Sequence, residues 1–319
     1  MRDEIGSLPE QLAWQGEVPS VTPTGRVVAA AMGGSAMAAA AAAVAVPGCD
    51  VAVHRGYDLP QWVPPQALIL AVSYSGDTEE TLSVVDQAAA RHLDVVAVTA
   101  GGMLAAEAAR HGFPVAIVPA GHQPRAALGL LVAATSQVLA SAAATDVTHV
   151  LAEARQVTSR LLEDGAADAA ATDLADRLRD STPVVFGVHG PAALAARRWK
   201  TQFNENAKMA SWWAELPELN HNELEAWAGV DSDGASRGMG IFLLRDDRDS
   251  RLARRADLTK DVLGGACLAE VHSRGDGPLA RLFSLTVVGD LLSVEMAERR
   301  GADAGAVEHL EEFKRRMRD

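Results

Sequence analysis

Residues 72–81 read V-S-Y-S-G-D-T-E-E-T and set three hydroxyls, Ser73, Ser75 and Thr78, around one glycine, Gly76. Hydroxyls grouped this way at the start of a helix make a neutral cradle that can close charge-assisted hydrogen bonds onto an anion. An ordinary capping box, with Ser75 or Thr78 as the cap and Glu79 or Glu80 reaching back, accounts for only one of the three. A second stretch of the same kind, M-G-G-S-A at 32–36, places Gly33, Gly34 and Ser35 where a strand hands over to a helix. Glycines there let the backbone approach a ligand closely, and the helix behind them offers unpaired N–H groups and the positive end of its dipole. There is no G-x-x-x-x-G-K-[ST], and no G-x-G-x-x-G opens a helix, so neither a nucleoside triphosphate nor a dinucleotide is indicated. A small phosphorylated ligand is the expectation that remains.

Two other stretches hold groups suited to moving protons. In R-R-W-K-T-Q-F-N-E-N-A-K-M (197–209), Glu205 stands between Asn204 and Asn206. A carboxylate framed by neutral amides can be held in one orientation, as a general base must be. In E-L-P-E-L-N-H-N-E-L-E-A-W (215–227), His221 is framed in the same way by Asn220 and Asn222. Taken singly, a surface glutamate and a loop histidine are the commoner identities of such residues. Cys49 and Cys267 are too few for a disulfide framework and lack metal-ligand spacing. They read as two small buried hydrophobes in a reducing cytoplasm.

These groups must be carried by a sizeable scaffold. With 319 residues, 48% hydrophobic and 22% charged, the chain can hold two ordinary domains and bury a real core. Its net charge of −13 argues against a nucleic-acid partner, which clustered Lys and Arg would grip, but not against a small anion in a locally favourable site. The start, M-R-D-E-I-G-S-L-P-E-Q-L-A-W, has no basic region followed by an apolar run, so no secretion signal is expected. Residues 27–46 carry no charge and are long enough to span a membrane, yet they are mostly Ala and Gly, whose transfer energies are small. A buried strand, a glycine turn and an alanine-rich helix fit them better, and no membrane partner is expected.

The first half alternates apolar runs of strand length (26–32, 50–56, 67–73, 94–100, 114–120) with helical stretches (35–46, opened by a Ser35 cap; 77–92; 103–112). A long helical region from about 126 to 178 follows. The second half repeats the theme: T-P-V-V-F-G-V-H-G-P-A-A-L-A-A-R-R-W (182–199) echoes the first strand–glycine–helix unit. Strands follow at 238–246 and 267–275, and helices at 251–264 and 278–301. Such alternation predicts an α/β chain of two doubly wound, flavodoxin-like parallel-sheet halves, a pseudo-duplication. The expected boundaries are an N-terminal extension at 1–25, a first half at 26–180 and a second half at 181–319. Pro191 stands in the second copy where Ser35 stands in the first, so one phosphate site per chain is expected.

Taken together, G-G-S-A, S-Y-S-G-D-T-E-E-T, P-R-A-A-L-G (124–129), W-K-T-Q-F-N-E-N-A-K-M and E-L-N-H-N-E resemble, in order and spacing, the motifs of the sugar isomerase (SIS) domain family. More narrowly they are similar to its bifunctional phosphoglucose/phosphomannose isomerases, over about residues 27–319. The resemblance implies that Ser35, Ser73, Ser75 and Thr78, with backbone from Gly33 and Gly34, bind a sugar phosphate. It implies Arg125 as the cation that steadies a cis-enediolate and Glu205 as the base between C1 and C2. His221 would open the sugar ring and be reached from the other subunit of a homodimer, and Lys314 in L-E-E-F-K-R-R-M would lie near the ring oxygen. The implied activity is interconversion of glucose 6-phosphate and fructose 6-phosphate, and of mannose 6-phosphate in the bifunctional type, in the cytoplasm and without metal or cofactor. A non-catalytic sugar-phosphate regulator, or an isomerase of another sugar phosphate, is the alternative. The sequence departs from the family at Asp77, where Asn is usual, and at G-A-D-A-G-A-V (301–307), which lacks the Asp-Pro that often precedes the last helix.

Overall fold

A computed structural model describes residues 1–227 and 238–318. Two short helices, α1 (Arg2–Gly6) and α2 (Leu8–Leu12), precede β1 (Arg26–Ala31), α3 (Gly33–Ala45), β2 (Asp50–His54) and β3 (Leu68–Val72). Then come α4 (Glu79–Ala90), β4 (Asp94–Thr99), α5 (Gly102–His111) and β5 (Val115–Ile117). The long helical region is three helices, α6 (Leu128–Ala142), α7 (Thr148–Glu163) and α8 (Ala166–Leu178). After them run β6 (Thr182–Val188), α9 (Pro191–Glu205), β7 (Trp212–Leu216), α10 (Leu224–Trp227), β8 (Met239–Arg245) and α11 (Ser250–Leu263). The chain ends through β9 (Cys267–His272), α12 (Pro278–Arg299) and α13 (Glu308–Arg318).

The strands form two sheets, β2-β1-β3-β4-β5 and β7-β6-β8-β9, and every pair in both is parallel. Contacts divide the chain into two compact units. Gly6–Ser159 and Gly275–Ala280 surround the five-stranded sheet; Met1–Ile5, Arg160–Arg274 and the residues from Arg281 onward surround the four-stranded one. Helices thus pack on parallel strands in each unit, as the alternation requires.

In the five-stranded unit the strand interiors are apolar on both faces, as a sheet covered twice must be. Val28, Ala30, Ile69, Ala71, Val95 and Ala97 pack against Val84, Val85 and Ala88 of α4 and Leu104 and Ala108 of α5. The opposite face, with Val27, Ala29, Leu70 and Val72, is buried beneath α3 and α6. This explains the alanine run: Ala36, Ala38, Ala39, Ala41 and Ala42 are buried where α3 meets both β1 and α6, and small side chains let these elements approach closely. No helix among the described residues is long and apolar enough to cross a membrane. The residues before Arg26 also contribute to the core. Leu8 and Leu12 are buried, and Gln11 donates to the Ala126 carbonyl while its Oε1 accepts from the Gly129 N–H at 3.0 Å.

In the four-stranded unit, α9 lies on β6 and β7 and is fixed to α12 by a buried ion pair. The Arg198 guanidinium meets Asp290 through Nε at 2.9 Å and Nη2 at 2.6 Å. Burial holds the Asp290 carboxyl above the usual carboxylate range even against that guanidinium. The Trp199 indole donates to the Leu285 carbonyl at 2.9 Å and rests where Gly289 has no side chain, since a Cβ there would lie 2.0 Å from its nitrogen. Strand β7 is a strand the sequence pattern did not reveal. Trp212–Leu216 is an edge strand with Trp212 exposed, and it lacks the apolar run that marks its neighbours.

Candidate active site

The order β2-β1-β3-β4-β5 reverses direction between β1 and β3, and ligands of open parallel sheets bind beyond the carboxyl ends of the strands at such a switch point. The loops leaving β1 and β3 are the two hydroxyl-bearing turns. They meet: the Tyr74 N–H donates to Ser35 Oγ at 3.3 Å. Ser35 therefore does not cap its helix. α3 begins two residues earlier, at Gly33, whose φ of 49° few other residues tolerate, and its cap position, Met32, makes no side-chain bond.

The second turn also departs from a capping box. Thr78 occupies the cap position of α4, yet its hydroxyl lies 2.8 Å from Ser73 Oγ and caps nothing. The buried Ser73 Oγ accepts from the Gly76 N–H at 3.1 Å, and the exposed Ser75 Oγ accepts from the Asp77 N–H at 3.3 Å. Both α3 and α4 thus start without a side-chain acceptor on their first N–H groups, which leaves two positive helix ends at one switch point. That is the arrangement an anion needs.

Asp77 turns away from this point. Its Oδ1 accepts from the Met103 N–H at 3.0 Å, and the Leu104 N–H donates to the Gly76 carbonyl at 2.9 Å. The carboxylate and the loop thereby satisfy the first turn of α5, whose dipole offsets the negative charge. The docking is tight enough to dictate glycine: a Cβ on Gly76 would lie 1.9 Å from the Gly101 carbonyl oxygen, and one on Gly102 2.2 Å from that of Ser75.

Arg125 belongs to the same neighbourhood. Its Cα lies 3.7 Å from where a Cβ on Gly34 would sit, so the glycine of the first turn faces the arginine's backbone. The Arg125 side chain is buried, and Nη1 donates to Gln123 Oε1 at 2.7 Å. Tyr74 braces the approach to it, donating to the Pro119 carbonyl and accepting from the His122 N–H, each at 3.0 Å. Gly33, Gly34, Ser35, Ser73, Ser75, Thr78 and Arg125 are therefore gathered in one unit.

The remaining candidates, Glu205, His221 and Lys314, lie in the four-stranded unit, each on its own element. Glu205 is the last residue of α9, two residues after the buried Phe203 that stacks on Phe242 at 6.4 Å. Both flanking amides anchor the turn, Asn204 donating to the Met209 carbonyl at 2.7 Å and the buried Asn206 to Ser293 Oγ at 2.9 Å. Lys208 Nζ donates to the Glu205 carbonyl and to that of Ala306, each at 2.6 Å. His221 ends a 3-10 turn (Glu218–His221) that follows β7 through a cis Leu216–Pro217 bond. Asn220 ties the turn to Thr259 at 2.8 Å, while the His221 ring is exposed and has no partner among the described residues. Lys314 lies exposed on α13.

One group went unnoticed in the sequence. Glu223, two residues after His221, has its carboxyl pushed above the usual range by burial, the kind of shift that collects at functional sites. Its place in N-H-N-E was the available signal. Among the described residues, Asp86, Glu107 and His111 could bring ligand atoms within 4.8 Å of one another, but Arg110 already lies on Glu107. That cluster sits on the helices α4 and α5 and shares no residue with the turns above.

Comparison with known proteins bears on the family and the fold. The model of the family described as the bacterial phospho-glucose isomerase C-terminal SIS domain matches residues 167–317. A bifunctional phosphoglucose/phosphomannose isomerase of Caldicellulosiruptor bescii is 32% identical, over 99% of this chain and 98% of its own. One from Thermoplasma volcanium is 33% identical over 92% of this chain and 91% of its own. Among solved structures, a glucosamine-6-phosphate deaminase from Thermotoga maritima has the same fold, with a TM-score of 0.72 at 15% identity, covering 96% of this chain and 95% of that one.

Proposed function

Because the chain belongs to the family of bifunctional phosphoglucose/phosphomannose isomerases, we propose that it interconverts fructose 6-phosphate with glucose 6-phosphate and with mannose 6-phosphate, in the cytoplasm. The observation that carries this reading is the junction of the two turns, Ser35 on Tyr74, between two helices whose first N–H groups no side chain caps. A phosphate dianion held there by Ser35, Ser73, Ser75, Thr78 and the backbone of Gly33 and Gly34 is a fixed handle, whose binding energy can orient the far end of the sugar.

Chemistry at that far end falls to four groups. His221, contributed by the second copy in a homodimer, moves the proton that opens the ring, with the Lys314 ammonium near the ring oxygen. Glu205 takes the proton from C2 of the open aldose and returns it to C1, giving the ketose through a cis-enediolate. Arg125 faces the negative charge that develops on the two oxygens. A positioned base contributes roughly 10²–10⁴-fold, and a cation at the developing oxyanion adds on the order of 3 kcal/mol. The amide anchors at Asn204 and Asn206 support the role of Glu205, because a base must keep one orientation.

The test offers fructose 6-phosphate to the purified protein and reads glucose 6-phosphate and mannose 6-phosphate through separate coupled assays. Both products are expected, and E205Q is expected to lose turnover by at least about a hundredfold. An E205Q enzyme with full activity would remove the proton-transfer assignment. Gel filtration is expected to give a dimer; a strict monomer with full turnover would contradict the placement of His221.

A further inference from the structure

We propose that Lys208 is a positioning residue that fixes the proposed base, Glu205, through its backbone. The inference rests on the functional reading above. Lys208 closes the turn after α9 in the left-handed region, with φ of 54°, where glycine is the usual choice at a helix end. A lysine there strains its backbone, so its side chain must return something that glycine could not.

What it returns is two short bonds. The Lys208 ammonium reaches back to the Glu205 carbonyl and across to the Ala306 carbonyl, each at 2.6 Å. The first satisfies an acceptor in the last turn of α9, whose carbonyls no longer have helical donors, and puts a cation at the negative end of the helix dipole. The second ties that turn to the segment joining α12 to α13, the helix that carries Lys314. The anchors alternate along the chain: Asn204 on the Met209 carbonyl, Asn206 on Ser293, and Lys208 on Glu205 and Ala306. Three consecutive even-numbered side chains are thus spent on holding the turn from which Glu205 projects. Both of these bonds go to backbone atoms, which is the pattern of a brace.

The test is K208G. Glycine suits φ of 54°, so this variant keeps the turn while removing the side chain with its ammonium. Lys208 is exposed, so a small alkylamine can reach the place it leaves. K208G is expected to lose about tenfold or more in kcat. KM for fructose 6-phosphate and inhibition by inorganic phosphate should stay within about twofold, because the phosphate loops belong to the other sheet. Propylamine is expected to restore much of the kcat of K208G and none of that of E205Q. Native turnover in K208G, a parallel loss of phosphate affinity, or no response to propylamine each overturns the inference. Should K208G fail to fold by circular dichroism, K208R and K208M are compared; the brace requires Arg to keep turnover that Met loses, and equal rates overturn it. E205Q measured alongside separates the two claims. A fully active E205Q sinks the base assignment, whereas an inactive E205Q beside a native-like K208G sinks the brace alone.

Discussion

Gly76→Ala is the sharpest test of the phosphate loop. Gly76 has φ of 76°, and an added Cβ would stand 1.9 Å from the Gly101 carbonyl oxygen and 2.8 Å from its carbon. These are backbone atoms, so no side-chain rotation relieves the contact. The loop must move away from the 101–104 turn by about an ångström to reach ordinary contact distance. That movement breaks the Leu104 N–H bond to the Gly76 carbonyl and the Met103 N–H bond to Asp77, at 2.9 and 3.0 Å. The left-handed backbone costs about 1 kcal/mol for alanine, and each lost bond about 1 kcal/mol more. If this total of roughly 3 kcal/mol falls on the form that binds phosphate, kcat/KM drops about a hundredfold. Steady-state kinetics on fructose 6-phosphate measure it, with the melting temperature read alongside. Gly112→Ala is the control: its φ of 71° imposes the same strain, but no atom lies within 4 Å of the added Cβ. It should lower the melting temperature and leave kcat/KM unchanged. A G76A enzyme within about threefold of native kcat/KM, or a G112A enzyme as impaired as G76A, would refute the reasoning.

Asp77→Asn keeps an oxygen for the Met103 N–H and removes a negative charge from the loop, so inorganic phosphate should inhibit it slightly more tightly, by about two- to threefold at low salt. Asp77→Ala, which loses the bond as well, should bind phosphate more weakly than either; alanine as good as asparagine would show that the bond to α5 is idle. Burial pushes the Cys267 thiol up to about 11 from its ordinary 9.0. At pH 8 its thiolate fraction is then about a hundredfold below that of the unfolded chain. Disulfide-exchange labelling of native and guanidinium-unfolded protein should differ accordingly at this residue, and equal rates would overturn the assignment.

Much of this was legible in the sequence because it is local. Strand positions in the five-stranded sheet follow from Val- and Ala-rich runs buried on both faces, and the glycine turns follow from the loop that a strand-to-helix handover requires. What escaped is whatever depends on distant partners. Ser35 reads as a cap from its own neighbourhood, but in the fold its hydroxyl accepts from Tyr74, 39 residues away. The direction of Asp77 is set by α5, 26 residues on. Gln11 looks like a surface residue of a short helix and is buried against α6. Strand β7 escaped for a different reason. As an edge strand it has one neighbour, so W-W-A-E-L can leave Trp212 in solvent, and the continuous apolar run that betrays a central strand is not required of it.

On the proposed function, the two sheets also differ in a way that lets a duplicated plan yield one anion site. After β1, Gly33 leads into a helix whose first turn keeps its N–H donors and places Ser35 where the next loop can reach it. After β6, Gly190 leads into α9 with Pro191 at its first position. Proline suits a helix start because its fixed φ is already helical, but it has no N–H to offer. The second turn thus gives up a donor and the hydroxyl together, and the His189 ring at its mouth is engaged by Glu215 at 3.0 Å, which sets a carboxylate beside the loop. A phosphate approaching there would meet fewer donors and a negative charge. The helix that follows is instead anchored by Arg198 on Asp290 and Trp199 on Leu285, and its far end carries Glu205. In the proposed reading, one copy of the unit keeps the start of its helix for binding and the other commits the end of its helix to holding a carboxylate.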